Sequence, residues 1–416
     1  MSGDLVLIGH PFSAIGMAEH VRSAWRAFKA AGVVPGLIDI YGMDRNKDPD
    51  FEREFGPHVI PKLSPGTNLF CINADEVDQA MGVLEATGSK PAFESAYNII
   101  YPAWELSKYP EPWARVLERF DEVWAPSDFI AQAIAPAVSK PVIHMPLAVE
   151  LSLSSFLGRR AFGIPEHAFV VLFSFDFSSF SERKNPLAML EAFERLCALR
   201  PAAPLHAIVK YKGGDDRNPA RKALEARLAA LGGRAQGITR QLSDNENKNL
   251  IRCADAFVSL HRSEGFGRGP AEAMALGRVA IATNYSGNLD YMTPETSLLV
   301  DCDLIPVGAE DYLFPEGQVW ADASVEHAVA LMARILDDPA EARALGRRAS
   351  RHIRTDFSAR AVGLLDAVGD LLRASYDLGL AGVVAVDIAD AGIRQQQGAD
   401  GSACLVAFTV RVVSII

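Results

Sequence analysis

Residues 256–290 read AFVSLHRSEGFGRGPAEAMALGRVAIATNYSGNLD, and the fold turns on this stretch. Ala256–Leu260 is an apolar, strand-like run. It feeds a loop in which Gly265, Gly267 and Gly269 permit close approach of the backbone. Pro270 opens a helix that stops at Gly277, and Val279–Thr283 is strand-like again. Strand, loop, helix and strand in that order predict a parallel sheet with a crossover helix. The loop aims backbone N–H groups and the positive end of the helix at an anion. Glu264 and Glu272 enclose seven residues of this segment. An ionised carboxylate only accepts hydrogen bonds, which suits both glutamates to gripping sugar or ribose hydroxyls.

The same rhythm extends in both directions. Upstream, strand-like runs fall at Leu5–Ile8, Gly36–Tyr41, Asn68–Ile72, Tyr97–Tyr101, Glu122–Ala125 and Pro141–Met145. Amphipathic segments lie between them, such as Met17–Ala31 with Val21, Trp25 and Phe28 on one face. Leu151–Pro165, with its serine cluster and Arg159-Arg160, breaks the pattern and reads as a connection. The pattern restarts with strands at Phe169–Phe175 and Leu205–Lys210, then Ala256–Leu260, Val279–Thr283 and Ser297–Val300. Helices are expected near 218–231, 270–276, 325–336 and 340–353, and one opens at Asn185-Pro186 with Asn as N-cap. This is an α/β chain of two parallel-sheet units, expected to face each other across a cleft. The expected domains are 1–155 and 156–355, with a helix over 356–380 crossing back to the first and an atypical tail over 381–416.

Composition sets the class. The chain has 416 residues, 49% hydrophobic and 22% charged, with a net charge of −11, which fits a globular protein of two domains. The acidity argues against a nucleic-acid partner. No run of roughly 18 uncharged apolar residues is present. Five scattered cysteines without a C-x-x-C pair read as reduced thiols in a cytoplasmic protein. Arg22, Arg26 and Lys29 recur on one side of the first helix, so a weak peripheral contact with the inner face of a membrane is a second expectation.

The E-x7-E segment, together with FSFDFSSFSERKNPLAMLEAFERL (173–196) and FDEVWAPSDFI (120–130), resembles family 4 of the retaining glycosyltransferases over roughly residues 3–378. That family has the GT-B fold of two Rossmann-like domains. The resemblance implies that Glu264 contacts the donor sugar and Glu272 the ribose hydroxyls. It also implies that Gly265 and the amides of Phe266, Gly267 and Arg268 meet the donor phosphates, and that Gly16 of the first loop approaches the ligands. The enzyme would transfer a hexose from a nucleotide-diphosphate sugar to a glycan, lipid-linked or other hydroxyl acceptor, as in polysaccharide biosynthesis, without a metal or other cofactor.

Arg183 and Lys184 are the cations expected to neutralise the leaving diphosphate. The family usually carries an arginine five or six residues before that lysine, where this chain has Ser178 and Ser179. Arg183 itself, or Lys210 or Lys212 from the next strand, would supply the charge. Near Trp104 many relatives place a histidine; here Glu105 stands as a carboxylate able to orient an acceptor hydroxyl or support the anomeric centre. The segment 238–243 is expected near the donor base. Asp48-Pro49-Asp50 and Asp301-Cys302-Asp303 resemble metal-binding pairs of another transferase fold, but no metal site is assigned to them. A sugar-nucleotide epimerase or a phosphorylase of the same fold, and a non-catalytic glycan-binding or scaffold subunit, are the alternatives.

Overall fold

Val170, Val171, Leu172 and Phe173 follow one another without a polar break, and each is at most 1% exposed. Only a strand covered on both faces buries consecutive side chains in this way. The computed structural model describes residues 4–13, 15–40 and 48–363, and two short strands beyond them at Arg394–Gln397 and Cys404–Ala407. The chain divides into two units.

In the first unit, β1 (Asp4–Gly9), β2 (Gly36–Asp39), β3 (Gly66–Phe70), β4 (Tyr97–Ile100), β5 (Glu122–Ala125) and β6 (Val142–His144) form a parallel sheet. Its order is β2-β1-β3-β4-β5-β6. Cys404–Ala407 adds a parallel strand beside β6 through Val406 and Ile143, and Arg394–Gln397 pairs antiparallel outside it. The rest of the expected tail lies outside the described residues. The loops after β1 and β3 lie where the strand order reverses, and there His10 Nε2 is 2.7 Å from Glu76 Oε1. The described residues from Thr355 onward belong to this unit. Val149 N–H donates to Phe357 O and Ala359 N–H to Glu150. Of the helix expected over 356–380, residues 364–380 are not described.

The first helix, Gly16–Ala30, buries Val21, Trp25 and Phe28 as its spacing predicts. Its basic face differs from expectation. Arg22 is 4% exposed and donates to Glu19, Pro11 O and Ser13 O. Arg26 is bidentate to Glu54, and Lys29 lies over the Trp25 ring. Two of the three cations are thus neutralised within the protein, and the membrane contact inferred from three free charges loses its basis. No helix among the described residues is long and apolar enough to cross a membrane.

The second unit contains β7 (Phe169–Asp176), β8 (Leu205–Lys212), β9 (Ala235–Ile238), β10 (Ala256–Ser259), β11 (Val279–Thr283) and β12 (Leu298–Val300). They form one parallel sheet in the order β12-β11-β10-β7-β8-β9. A separate antiparallel hairpin pairs β13 (Cys302–Pro306) with β14 (Val319–Ala323). Strand β9 and the hairpin were not expected from sequence. Helix Pro186–Leu199 buries Met189, Leu190, Phe193 and Leu196 against the sheet. Its start is as expected, but Asn185 is left-handed (φ 51°, ψ 51°) and its side chain does not cap the helix. The second unit takes Glu105–Ser107 together with Leu151–Arg354, so the break near the expected boundary falls at Glu150/Leu151, five residues before it. The reason is local: the Ser154 and Ser155 amides donate to Asn245 Oδ1, and the Leu157 amide to Asn249 Oδ1. Arg159 then bonds Asp255, Cys253 O and Ala168 O, so the stretch read as a connection is built into the second unit.

Two glycines separate packing need from tolerance. A Cβ on Gly346 would stand 2.2 Å from Gly277 O, whereas one on Gly82 meets nothing within 4 Å. Gly346→Ala should destabilise the fold by about 1–3 kcal/mol, and Gly82→Ala, inside helix Val77–Ala86, should stabilise it by about 0.5–1 kcal/mol. Thermal denaturation of the two variants beside wild type checks both signs.

Candidate active site

In the second sheet the strand order reverses between β7 and β10, and the loops beyond their carboxyl ends converge there. Ligands of doubly wound sheets bind at such a point. The β10 loop carries Glu264 and the β7 loop carries Arg183 and Lys184.

Three residues around this point hold unusual backbone. Phe180 (φ 62°, ψ 102°) begins, and left-handed Asn185 ends, the single helical turn Ser181–Lys184. A positive φ is tolerated by Asn but is strained for Phe. Ser286 (φ 75°, ψ −154°) occupies a region that is nearly exclusive to glycine. Its strained position presents Oγ to the Glu264 N–H at 2.9 Å, while the Gly287 N–H donates to Glu264 O at 2.9 Å. The backbone of Glu264 is thereby fixed on both sides.

Its side chain is fixed by charge. Lys184 Nζ is 2.6 Å from Glu264 Oε1, and Arg183 Nη1 is 3.4 Å from Oε2. Arg183 Nη1 also donates to Ser263 O at 3.0 Å, and Nη2 lies 3.4 Å from Glu105 Oε1. Tyr312 donates its hydroxyl to Glu105 Oε2 at 2.5 Å. Two carboxylates and two cations therefore share one enclosure. Arg183 is 4% exposed in its side chain, Glu264 14%, Lys184 17% and Glu105 20%.

Burial alone would raise the Glu264 carboxyl, but Lys184 and Arg183 outweigh it and bring its pKa down to about 2. Burial also works to lower Arg183, yet Glu105 and Glu264 carry it above its ordinary range. Lys184 is lowered by burial and by Arg183 beside it, against the pull of Glu264. His261, fully enclosed, is lowered by burial and lies 3.1 Å from both Ser259 Oγ (at Nδ1) and Asn288 Oδ1 (at Nε2). Since Asn288 Nδ2 is spent on Thr283 O, its oxygen accepts. The imidazole is then neutral, with the proton on Nε2 and Nδ1 accepting from Ser259.

Arg183 Nε and Ser263 Oγ are buried and have no hydrogen-bond partner among the described residues. A buried donor left unpaired costs about 1–3 kcal/mol. With its two carboxylate contacts stretched to 3.4 Å, the guanidinium retains capacity for an incoming oxyanion.

The structure brings together Glu264, Arg183, Lys184 and Glu105 of the residues expected from sequence. Helix Arg268–Ala275 starts two residues earlier than expected, with Gly267 (φ 83°) as its N-cap. Gly269 is required by packing, since a Cβ there would meet Phe257 at 2.5 Å. Phe266 is buried against Tyr291. Arg268 lies 3.2 Å from Glu272, so the glutamate assigned to ribose is held by its i−4 neighbour. Lys210 and Lys212 sit on β8, where Lys212 pairs with Asp176 at 3.3 Å; no contact joins either to Glu264 among the described residues. Gly16 lies in the first unit, at the start of its helix, with open space around its Cα. Asp301 pairs with His327 at 3.0 Å. Tyr312, Ser286 and His261 were not singled out from the sequence.

The family Glycosyl transferases group 1 matches residues 158–352. Among solved structures, HepE of Anabaena in complex with UDP-glucose is 14% identical, with 89% of this chain and 100% of that one covered at a TM-score of 0.61. Sucrose-phosphate synthase from Thermosynechococcus elongatus is 18% identical, covering 90% and 100% at 0.59. A glycosyltransferase from Rickettsia africae is 14% identical, covering 88% and 97% at 0.57. At these identities the likeness is one of fold, the two-domain GT-B architecture. No curated protein matches the chain in sequence.

The charge balance has a measurable signature. An unfolded glutamate titrates near about 4.3 and folded Glu264 at about 2, so in acid the unfolded chain takes up the proton first. The stability contributed by Glu264 is complete above about pH 4.5 and is lost as pH falls towards 2. Urea unfolding of wild type and Glu264→Gln should differ by a constant amount from pH 8 to 5, and the gap should close below pH 4. A gap that opens in acid would contradict the ionised assignment.

Proposed function

We propose that this chain of GT-B fold, whose residues 158–352 match the group 1 glycosyl transferases, is a glycosyltransferase that moves a hexose from a nucleotide-diphosphate sugar to a hydroxyl acceptor with retention at the anomeric carbon. The observation that carries this reading is the buried contact of Glu264 with Lys184 and Arg183 at the end of the strand–loop–helix segment. It pairs a carboxylate for sugar hydroxyls with cations for a diphosphate. The UDP-glucose bound by HepE supports a nucleotide-sugar donor. A glycan or lipid-linked acceptor is the proposed class.

In the proposed reaction, the acceptor hydroxyl attacks the anomeric carbon on the face from which the diphosphate departs. The bond from that carbon to the phosphate oxygen breaks, and the acceptor proton passes to the departing phosphate. Arg183, Lys184 and the amides at the N-terminus of helix Arg268–Ala275 meet the negative charge as it develops. Glu264, ionised throughout the neutral range, orients the hexose by accepting from its hydroxyls. Glu272 would reach ribose once Arg268 turns from it to phosphate. No protein nucleophile and no metal ion is called for.

A thermal-shift panel of UDP-, GDP- and ADP-sugars selects the donor, since a ligand at 100-fold its Kd adds about 2.7 kcal/mol. With that donor, Glu264→Gln should lower turnover by about two to three orders of magnitude while far-UV circular dichroism is unchanged; near-wild-type turnover would sink the assignment. Excess chelator should leave the rate unaltered. A loss restored by Mg²⁺ or Mn²⁺ would overturn metal independence.

A further inference from the structure

Tyr312 closes the charged cluster from outside the sequence pattern that identified it. The residue lies in the loop joining β13 to β14 and is 8% exposed. Its hydroxyl donates to Glu105 Oε2 at 2.5 Å. The ring centroid is 5.7 Å from Arg183 Cζ and 4.6 Å from the ring of Phe180, the strained residue that starts the turn carrying Arg183. Gln318, at the other end of the same loop, accepts from Ser107 Oγ at 3.4 Å. The hairpin loop thus holds the segment 105–107 through Glu105 and Ser107.

We propose that Tyr312 is a positioning residue which, through Glu105, fixes the guanidinium of Arg183 for the donor diphosphate; this rests on the glycosyl-transfer reading above. Both oxygens of Glu105 are engaged, Oε2 by Tyr312 and Oε1 by Arg183 Nη2. Glu105 is therefore assigned to Arg183 rather than to an acceptor hydroxyl. Arg183 has a firm anchor on one side only, the 3.0 Å bond from Nη1 to Ser263 O. On the Nη2 side it has Glu105 at 3.4 Å, and the carboxylate stays there because the tyrosine hydroxyl holds its second oxygen. Burial pushes the Tyr312 phenol well above its ordinary range, so the hydroxyl keeps its proton and remains a donor. Without it, Glu105 is free to turn to water, and the guanidinium loses its reference on the Nη2 side. Misplacing a charged group by about 1 Å costs up to about 100-fold in rate. The effect belongs to the transition state, where charge on the leaving oxygen is greatest, so it falls on kcat.

The test is a double-mutant cycle on the full chain, with turnover of the selected nucleotide sugar as readout. Tyr312→Phe keeps the ring and removes only the hydroxyl. It should lower kcat about ten- to a hundredfold with donor KM changed less than about threefold. Glu105→Gln should lower kcat similarly, and adding Tyr312→Phe to it should change kcat by less than about twofold, because both substitutions cut one chain of contacts. A merely structural tyrosine would lower the thermal midpoint, and its losses would multiply with those of Glu105→Gln. Should Tyr312→Phe fail to fold, Glu105→Asp, too short to span both partners, must show the same kcat loss. Wild-type kcat in the folded variant, or multiplying losses in the double variant, overturns the inference alone. Failure of wild type to turn over any sugar of the panel overturns the glycosyl-transfer reading and this inference with it.

Discussion

A carboxylate held almost out of water must be neutralised and hydrogen-bonded, or it will take up a proton. Glu264 meets that demand with two cations that are neighbours in sequence, and the local structure follows from it. Successive residues of a regular helix point about 100° apart. Arg183 and Lys184 nevertheless both reach the one glutamate, from a single helical turn bracketed by the positive φ of Phe180 and Asn185. Strain of this kind costs about 1–3 kcal/mol per residue and persists only where the surroundings over-determine it. Here they do so from several directions: the 285–288 loop on the Glu264 backbone, Ser263 O on Arg183, and the Tyr312 ring against Phe180.

The sheet decides where this can happen. With β7 at the centre and the order reversing beside it, the loops after β7 and β10 have no strand between them, and each can reach the other without a long excursion. The first unit repeats the arrangement in miniature at β1 and β3, where His10 meets Glu76. In that unit, Arg22 serves as a strut for the loop after β1 through Pro11 O and Ser13 O. A basic residue on a helix surface is thus not necessarily a surface charge.

Much of the architecture was legible because central parallel strands are continuous apolar runs. Strands β5 and β11 fall on the residues expected of them. β9 escaped notice because AQGI is half-buried and carries Gly237 at its centre. The β13–β14 hairpin escaped because Asp303 and Pro306 read as strand breakers and its loop is rich in Gly and Pro. The charged members of the site were visible as cations and carboxylates at the ends of strand-like runs. Tyr312, Ser286 and His261 were not, since each acts through a contact with a residue far away in sequence that no spacing encodes. Two contacts were legible and passed over: Arg268 with Glu272, and Arg22 with Glu19, stand at the helical spacings where such pairs form.

The equal count of two carboxylates and two cations has a consequence for how fast a ligand arrives. An enclosure of zero net charge projects little field beyond itself, and the chain as a whole carries −11. On this charge balance the proposed diphosphate donor is expected to be repelled at long range and attracted only within the last few ångströms. Salt screens the first effect more than the second, because the Debye length is about 8 Å at physiological ionic strength. For the nucleotide-sugar donor proposed above, capture is therefore expected to be faster in moderate salt than in dilute buffer, the reverse of an enzyme that steers its substrate by an electropositive funnel.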